Sequence, residues 1–179
     1  MLTKFSNLKP LSKNKNFINQ NGTYTAIGTI DNKKVKIYSP KDKGAIKLRL
    51  YLENSICSKY FPKIIYHDEE HIADEWIDEP TLTQCNKEYK SDSLILEFIN
   101  DLFKIEFDIE VFDYFYHIFE RVNKLGDPLV KKLRDLKIPN KLNHNDLHPD
   151  NILFSSGKII VVDNEFLGNN NAWIMNLKN

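Results

Sequence analysis

Three oxygen-bearing side chains, Asp146, Asn151 and Asp163, stand in a spacing that suits work on a phosphorylated substrate. A side-chain amide and a carboxylate are the hard oxygen donors that a magnesium ion takes when phosphates fill its other positions. Asn151 and Asp163 supply that pair. The remaining carboxylate, Asp146, is free to receive or orient the proton of an acceptor hydroxyl. Phosphoryl transfer asks little covalent chemistry of a protein, so positioned groups of this kind carry most of the catalysis. The competing interpretation is an Asp/Asn-rich turn between two strands, with no chemistry at all.

The flanking sequence bears on that choice. Two apolar runs, Ile152 to Phe154 and Ile159 to Val162, are separated by Ser155-Ser156-Gly157-Lys158, which has the composition of a short turn. A β-hairpin results, and it returns Asp163 to the side of Asn151. Asp146 and Asn151 also keep the D-L-x-x-x-N spacing of a kinase catalytic loop.

The stretch His144-Asn145-Asp146-Leu147-His148-Pro149-Asp150-Asn151-Ile152-Leu153 resembles the H-G-D-L-H-x-x-N-I-L signature of the aminoglycoside phosphotransferase and choline kinase superfamily. Val162-Asp163-Asn164-Glu165 is similar to its I-D-x-E metal motif. The resemblance implies an α+β, protein-kinase-like fold, with a small antiparallel-sheet N-lobe and a truncated, mainly helical C-lobe carrying the catalytic hairpin. It implies Asp146 as the catalytic residue, Asn151 and Asp163 as magnesium ligands, ATP and Mg2+ as cofactors, and His144 as a support for the loop. Lobes over 1–78 and 79–179 would together form one kinase-like domain.

Other elements must position these groups. Residues 1–16 are polar and rich in Lys and Asn and read as an irregular lead-in, with a first strand near Phe17. Asn19 to Gly22 is a turn by composition. Thr23 to Ile30 and Val35 to Tyr38 read as strands of an antiparallel meander joined by a turn at Asp31 to Lys34. Lys36 alternates with Val35 and Ile37, so its side chain faces away from theirs. That places it where a kinase keeps its phosphate-binding lysine. A helix over 43–60 follows, with Ala45, Leu48, Leu52 and Ile56 on its apolar face. Glu53, its only acidic residue, is the expected partner of Lys36, unless it pairs with Arg49 one turn earlier. Gly22 and Gly28 form no G-x-G-x-x-G pattern, and neither is assigned to phosphate.

Ile64 to Tyr66 and Ile72 to Ile77 flank His67-Asp68-Glu69-Glu70-His71, which reads as a polar turn rather than a metal site. Glu75 to Leu82 resembles the family's lobe-connecting segment. Backbone groups near Trp76 and Ile77 would there bond the adenine. Helical spacing marks 92–107 and 109–125, with Ser91 as N-cap and Gly126 as stop, and a short helix runs to Lys137. Trp173 to Leu177 resembles the family's loop-anchoring segment with Asn176 in place of Asp, two residues before the sequence ends. On the resemblance, this is a short form lacking the helical tail by which the family chooses its acceptor.

Lys and Arg total 25, matching 25 Asp and Glu, a balance that argues against a dedicated nucleic-acid or anionic-membrane binder. No apolar run reaches the length of a membrane span, and the first ten residues lack a signal-peptide core, so the expected location is cytoplasmic. The two cysteines, Cys57 and Cys85, read as reduced structural thiols. The functional expectation is transfer of the terminal phosphate of ATP to a hydroxyl of a small molecule. A kinase-like pseudoenzyme and a lipopolysaccharide-core or protein kinase are the alternatives.

Overall fold

The computed structural model describes residues 2–11, 15–19, 22–40, 42–85, 92–107 and 141–170, together with Pro128 and Lys132. Five strands, β1 (Ser6–Pro10), β2 (Thr25–Ile30), β3 (Lys33–Tyr38), β4 (Ile64–His67) and β5 (Ile72–Glu75), form one antiparallel sheet in the order β1-β2-β3-β5-β4. The meander read from the sequence is present. Asp31 and Asn32, both at positive φ, make the two-residue turn that pairs Ile30 with Lys33.

One expectation is corrected at the start of the chain. Residues 6–10 are a strand and not an irregular lead-in, whereas Phe17 and its neighbours contribute only an isolated bridge between Ile18 and Tyr24. Phe5 and Leu8 pack with Val35, Ile37 and Ala73 on one face of the sheet. A bulge between Ser6 and Lys9, with Asn7 at φ 55°, breaks the alternation that would have announced the strand. This packing also explains Gly28: a Cβ there would lie 2.9 Å from Leu8 Cδ2 and 3.0 Å from Ile37 Cδ1.

Helix α1 (Gly44–Glu53) is shorter than the expected 43–60. The Ser55 hydroxyl bonds the Leu52 carbonyl and accepts from the Cys57 amide, turning the chain out of the helix into a 3-10 turn at Ser58–Tyr60. Ala45, Leu48 and Leu52 are buried as the periodicity requires, but Ile56 lies beyond the helix end and is exposed.

Helix α2 (Asp92–Phe103) brings Phe98 and Leu102 against Leu48, Leu52 and Tyr60. The same cluster takes in Ile152, Ile159 and Val161 from the hairpin of β7 (Ile152–Ser155) and β8 (Lys158–Val161), so both helices and the hairpin share one core, while the sheet packs its own residues in two separate clusters. β6 (Lys141–Asn143) pairs with β9 (Gly168–Asn170) beside it. The expected helix at 109–125, the N-cap Ser91, the stop Gly126 and the segment with Asn176 lie outside the described residues, and of the short helix to Lys137 only Pro128 and Lys132 are described, both helical. Both cysteines are free, Cys57 buried and Cys85 partly so. Among the described residues no helix is long and apolar enough to cross a membrane.

Candidate active site

The β7–β8 hairpin turns on Ser156 and Gly157, at φ 49° and 79°, the double left-handed conformation that matches strand twist. Ile152 pairs with Val161 across it, and the Val162 amide donates to the Asn151 carbonyl at 2.9 Å. Asp163 follows at φ 66°, a left-handed conformation uncommon for a residue with a side chain, and begins a 3-10 turn at Asn164–Phe166.

The loop from His144 to Asn151 is tied to this segment by two buried side chains. His144 Nε2 lies 3.0 Å from the Val162 carbonyl, and burial pushes its imidazole below the usual range despite the nearby Asp146 and Asp163 charges. A carbonyl oxygen only accepts, so Nε2 carries the hydrogen donated there. Asn145, at φ 67°, donates from Nδ2 to the Phe166 carbonyl at 2.8 Å. Asn151 donates from Nδ2 to both the Asp146 carbonyl at 2.9 Å and Asp146 Oδ2 at 3.1 Å. That arrangement turns Asn151 Oδ1 away from the catalytic-loop carboxylate. His148 Nε2 stands 3.8 Å from the same Asp146 Oδ2.

Lys36 reaches over from β3, and its Nζ lies 2.5 Å from Asp163 Oδ1. Burial alone would raise the Asp163 pKa, but the ammonium more than reverses this and the carboxyl sits below its ordinary range. Together with Asn151, Leu153 and the segment Glu75 to Glu79, these residues line a cleft of about 440 Å³. Among the described residues no three His, Cys, Asp or Glu side chains gather into a metal cage. The available donor set is an amide oxygen and a carboxylate, which fits a magnesium ion completing its shell on phosphates and water.

Two expectations about the cleft are corrected. Glu53 does not pair with Lys36: its Oε2 accepts from Arg49 Nη1 at 3.1 Å and its Oε1 from the Ile64 amide at 3.1 Å. α1 ends on this residue, so its carboxylate turns toward the start of β4. The Trp76 amide is likewise taken, donating to the Lys34 carbonyl at 3.0 Å, while its indole lies under the Lys34 ammonium. Ile77 is the expected connecting residue whose amide has no bond among the described residues.

Sequence reasoning missed two further groups. Asp74, opposite Lys36 on β5, is 3% exposed and bonded to the buried Arg49 at 3.3 Å. Burial raises its pKa to about 6 against the opposing charge of Arg49. Glu165, also buried, accepts from the Thr23 hydroxyl at 2.7 Å and from Asn19 Nδ2 at 3.1 Å, which latches the Asn19–Gly22 turn of the sheet lobe onto the metal motif. Glu165 was visible as part of the I-D-x-E pattern, but nothing in the sequence named its partners. The His67–His71 segment is a turn, as read: the Asp68 carboxylate accepts from the amides of Glu70 and His71.

No protein-family model and no curated protein matches the sequence. Solved structures do match the fold. Choline kinase LicA from Streptococcus pneumoniae superposes with a TM-score of 0.62 at 19% identity, over 99% of this chain and 71% of that one. The gentamicin complex of APH(2")-IIa gives 0.56 at 17% identity, over 94% and 68%. An ethanolamine kinase from Plasmodium vivax gives 0.54 at 16%, over 85% and 56%. The chain thus has the protein-kinase-like fold that these choline, ethanolamine and aminoglycoside kinases show.

Proposed function

We propose that this protein is an ATP-dependent phosphotransferase that moves the terminal phosphate to a hydroxyl of a small molecule. The observation that carries the reading is the Lys36–Asp163 contact beside Asn151, which is itself bonded to Asp146: a cation for phosphates, two oxygen donors for a metal and a base in one connected set. In this reading Asp146 takes the proton of the acceptor hydroxyl as its oxygen bonds to the terminal phosphorus. The bond from phosphorus to the bridging oxygen breaks, and ADP leaves. Magnesium, held by Asn151 and Asp163, would neutralise the phosphate charge. Lys36 holds the phosphates in line, the Ile77 amide holds the base, and Leu153 floors the slot. Asp146 Oδ2 is occupied by Asn151, so Oδ1 is the oxygen left to act as base.

A small acceptor is supported by the similar structures, which include choline and ethanolamine kinases and complexes with gentamicin and with AMP. The division into lobes near residue 78 belongs to the same proposal. The test is an acceptor screen with Mg·ATP, reading ADP release and acceptor mass. Asp146→Asn should lower transfer at least about 100-fold, the scale of a lost general base, while Mg·ATP affinity is retained. Unchanged turnover in that variant refutes the assignment. Magnesium-dependent ATP binding without transfer to any acceptor would favour a nucleotide-binding pseudoenzyme.

A further inference from the structure

Resting on that reading, Lys36 faces a conflict. Its ammonium touches Asp163, the same carboxylate that is assigned to the cation. Two positive charges against one carboxylate repel each other, so metal binding at Asp163 releases Lys36. A lysine is a point charge on a flexible stem, and holding it on phosphates requires a carboxylate behind it. Glu53 is not available for this, because both of its oxygens are engaged by Arg49 and the Ile64 amide.

Asp74 meets the requirement. It is the direct register partner of Lys36 across β3 and β5, and such partners project from the same face with Cβ atoms about 4.5–5.5 Å apart. It lines the same cleft as Lys36 and Asp163. Its Oδ1 is pinned by Arg49 Nη2 at 3.3 Å. The neighbouring buried Tyr38 hydroxyl also bears on this carboxylate. Arg49 is immobilised in turn, 1% exposed and bonded to Glu53, Asp74 and the Pro62 carbonyl. A buried carboxylate fixed by Arg49, directly across the sheet register from a lysine, keeps acceptor capacity for that lysine.

We infer that Asp74, and not the helix residue Glu53, is the positioning residue that holds Lys36 on the phosphates once Asp163 is committed to the metal. The Lys–Glu pair expected between strand and helix is replaced by alternating charges, Lys36, Asp74, Arg49 and Glu53, in which the helix contributes its arginine.

Two measurements test this. The first needs neither nucleotide nor activity: a crystal structure of the Asp163→Asn variant. Lys36 Nζ is expected within about 3.2 Å of Asp74 Oδ2. Lys36 on Glu53, or bonded to no carboxylate, overturns the inference. The second is a double-mutant cycle on Mg·ATP affinity by calorimetry. Asp74→Asn should weaken binding about tenfold, the order of coupling seen between contacting residues, and should add nothing in a Lys36→Met background. A merely structural role would weaken binding equally in both backgrounds and refutes the assignment. Glu53→Gln should combine additively with Lys36→Met, and strong coupling there would restore the helix pair. If the wild-type protein binds no Mg·ATP, the nucleotide reading falls and the role with it, while the crystal structure still decides which carboxylate takes Lys36.

Discussion

Substituting Thr23→Val isolates the contact that joins the sheet lobe to the metal motif. Valine has the shape of threonine, so the site stays filled and only the hydroxyl is removed. That hydroxyl donates to Glu165 Oε2 at 2.7 Å from a residue 4% exposed, onto a carboxylate 6% exposed. Hydrogen bonds to charged groups contribute roughly 1.5–3 kcal/mol, more than neutral ones, because a buried charge left short of a donor keeps its desolvation cost. Asn19 Nδ2 remains on the same carboxylate at 3.1 Å and softens the loss. A destabilisation of about 2 kcal/mol follows, which for a chain of this size lowers Tm by about 4–8 °C. Urea unfolding of the nucleotide-free protein measures it. Glu165→Gln supplies the other arm of the cycle, and the double variant should lose at least about 1 kcal/mol less than the sum of the singles. Additive losses, or a Thr23→Val cost below about 0.5 kcal/mol, would show that the latch does not hold the turn.

Two further outcomes follow from the charges. The cleft lining sets Asp74, Glu75, Asp78, Glu79 and Asp163 against Lys36, so on the proposed function the cleft should repel free ATP and take the magnesium complex. At about 100 times its dissociation constant, Mg·ATP should add about 2.7 kcal/mol, read as a thermal shift of about 5–11 °C, and an equal shift in EDTA would refute this. In the core, the hydrogen bond from Lys104, with those from Tyr60 and Lys59, overcomes burial and holds the Asp101 carboxyl down to about 2. A depressed folded-state value stabilises above the unfolded value near 4 and is lost as pH falls toward 2. Asp101→Asn should therefore cost about 1 kcal/mol at pH 7, the exposed lysines being screened by solvent, and less as pH falls through about 2. A cost independent of pH in urea titrations would assign the effect to packing.

What the sequence revealed and what it hid divide along the range of the interactions involved. The catalytic hairpin was legible because its determinants are local: two apolar runs, a Ser-Gly turn with both residues at positive φ, and an Asp-to-Asn spacing closed within one loop. The β2–β3 meander was legible for the same reason, through the Asp31-Asn32 turn. Strand β1 was not, because a bulge broke its alternation and its partner Thr29 lies 23 residues on. The end of α1 was hidden in one serine hydroxyl.

The site partners that escaped prediction are all separated in sequence by distances no periodicity encodes: Lys36 and Asp163 by 127 residues, Thr23 and Glu165 by 142. Here the expected Lys36–Glu53 pair is instructive. Its sequence logic required only a lysine on a strand and a glutamate on the next helix, and both are present. What decided against it was Arg49, one helical turn before Glu53, which fills one glutamate oxygen, while the Ile64 amide fills the other. A spacing argument counts candidate partners; it does not count the competing donors that reach the same carboxylate first. The cross-strand register that brings Asp74 opposite Lys36 is set by β5 pairing with β3 after a helix and a strand intervene. The facing of Asp74 and Lys36 was therefore fixed by sheet register, which a one-residue slip would have turned to the opposite face.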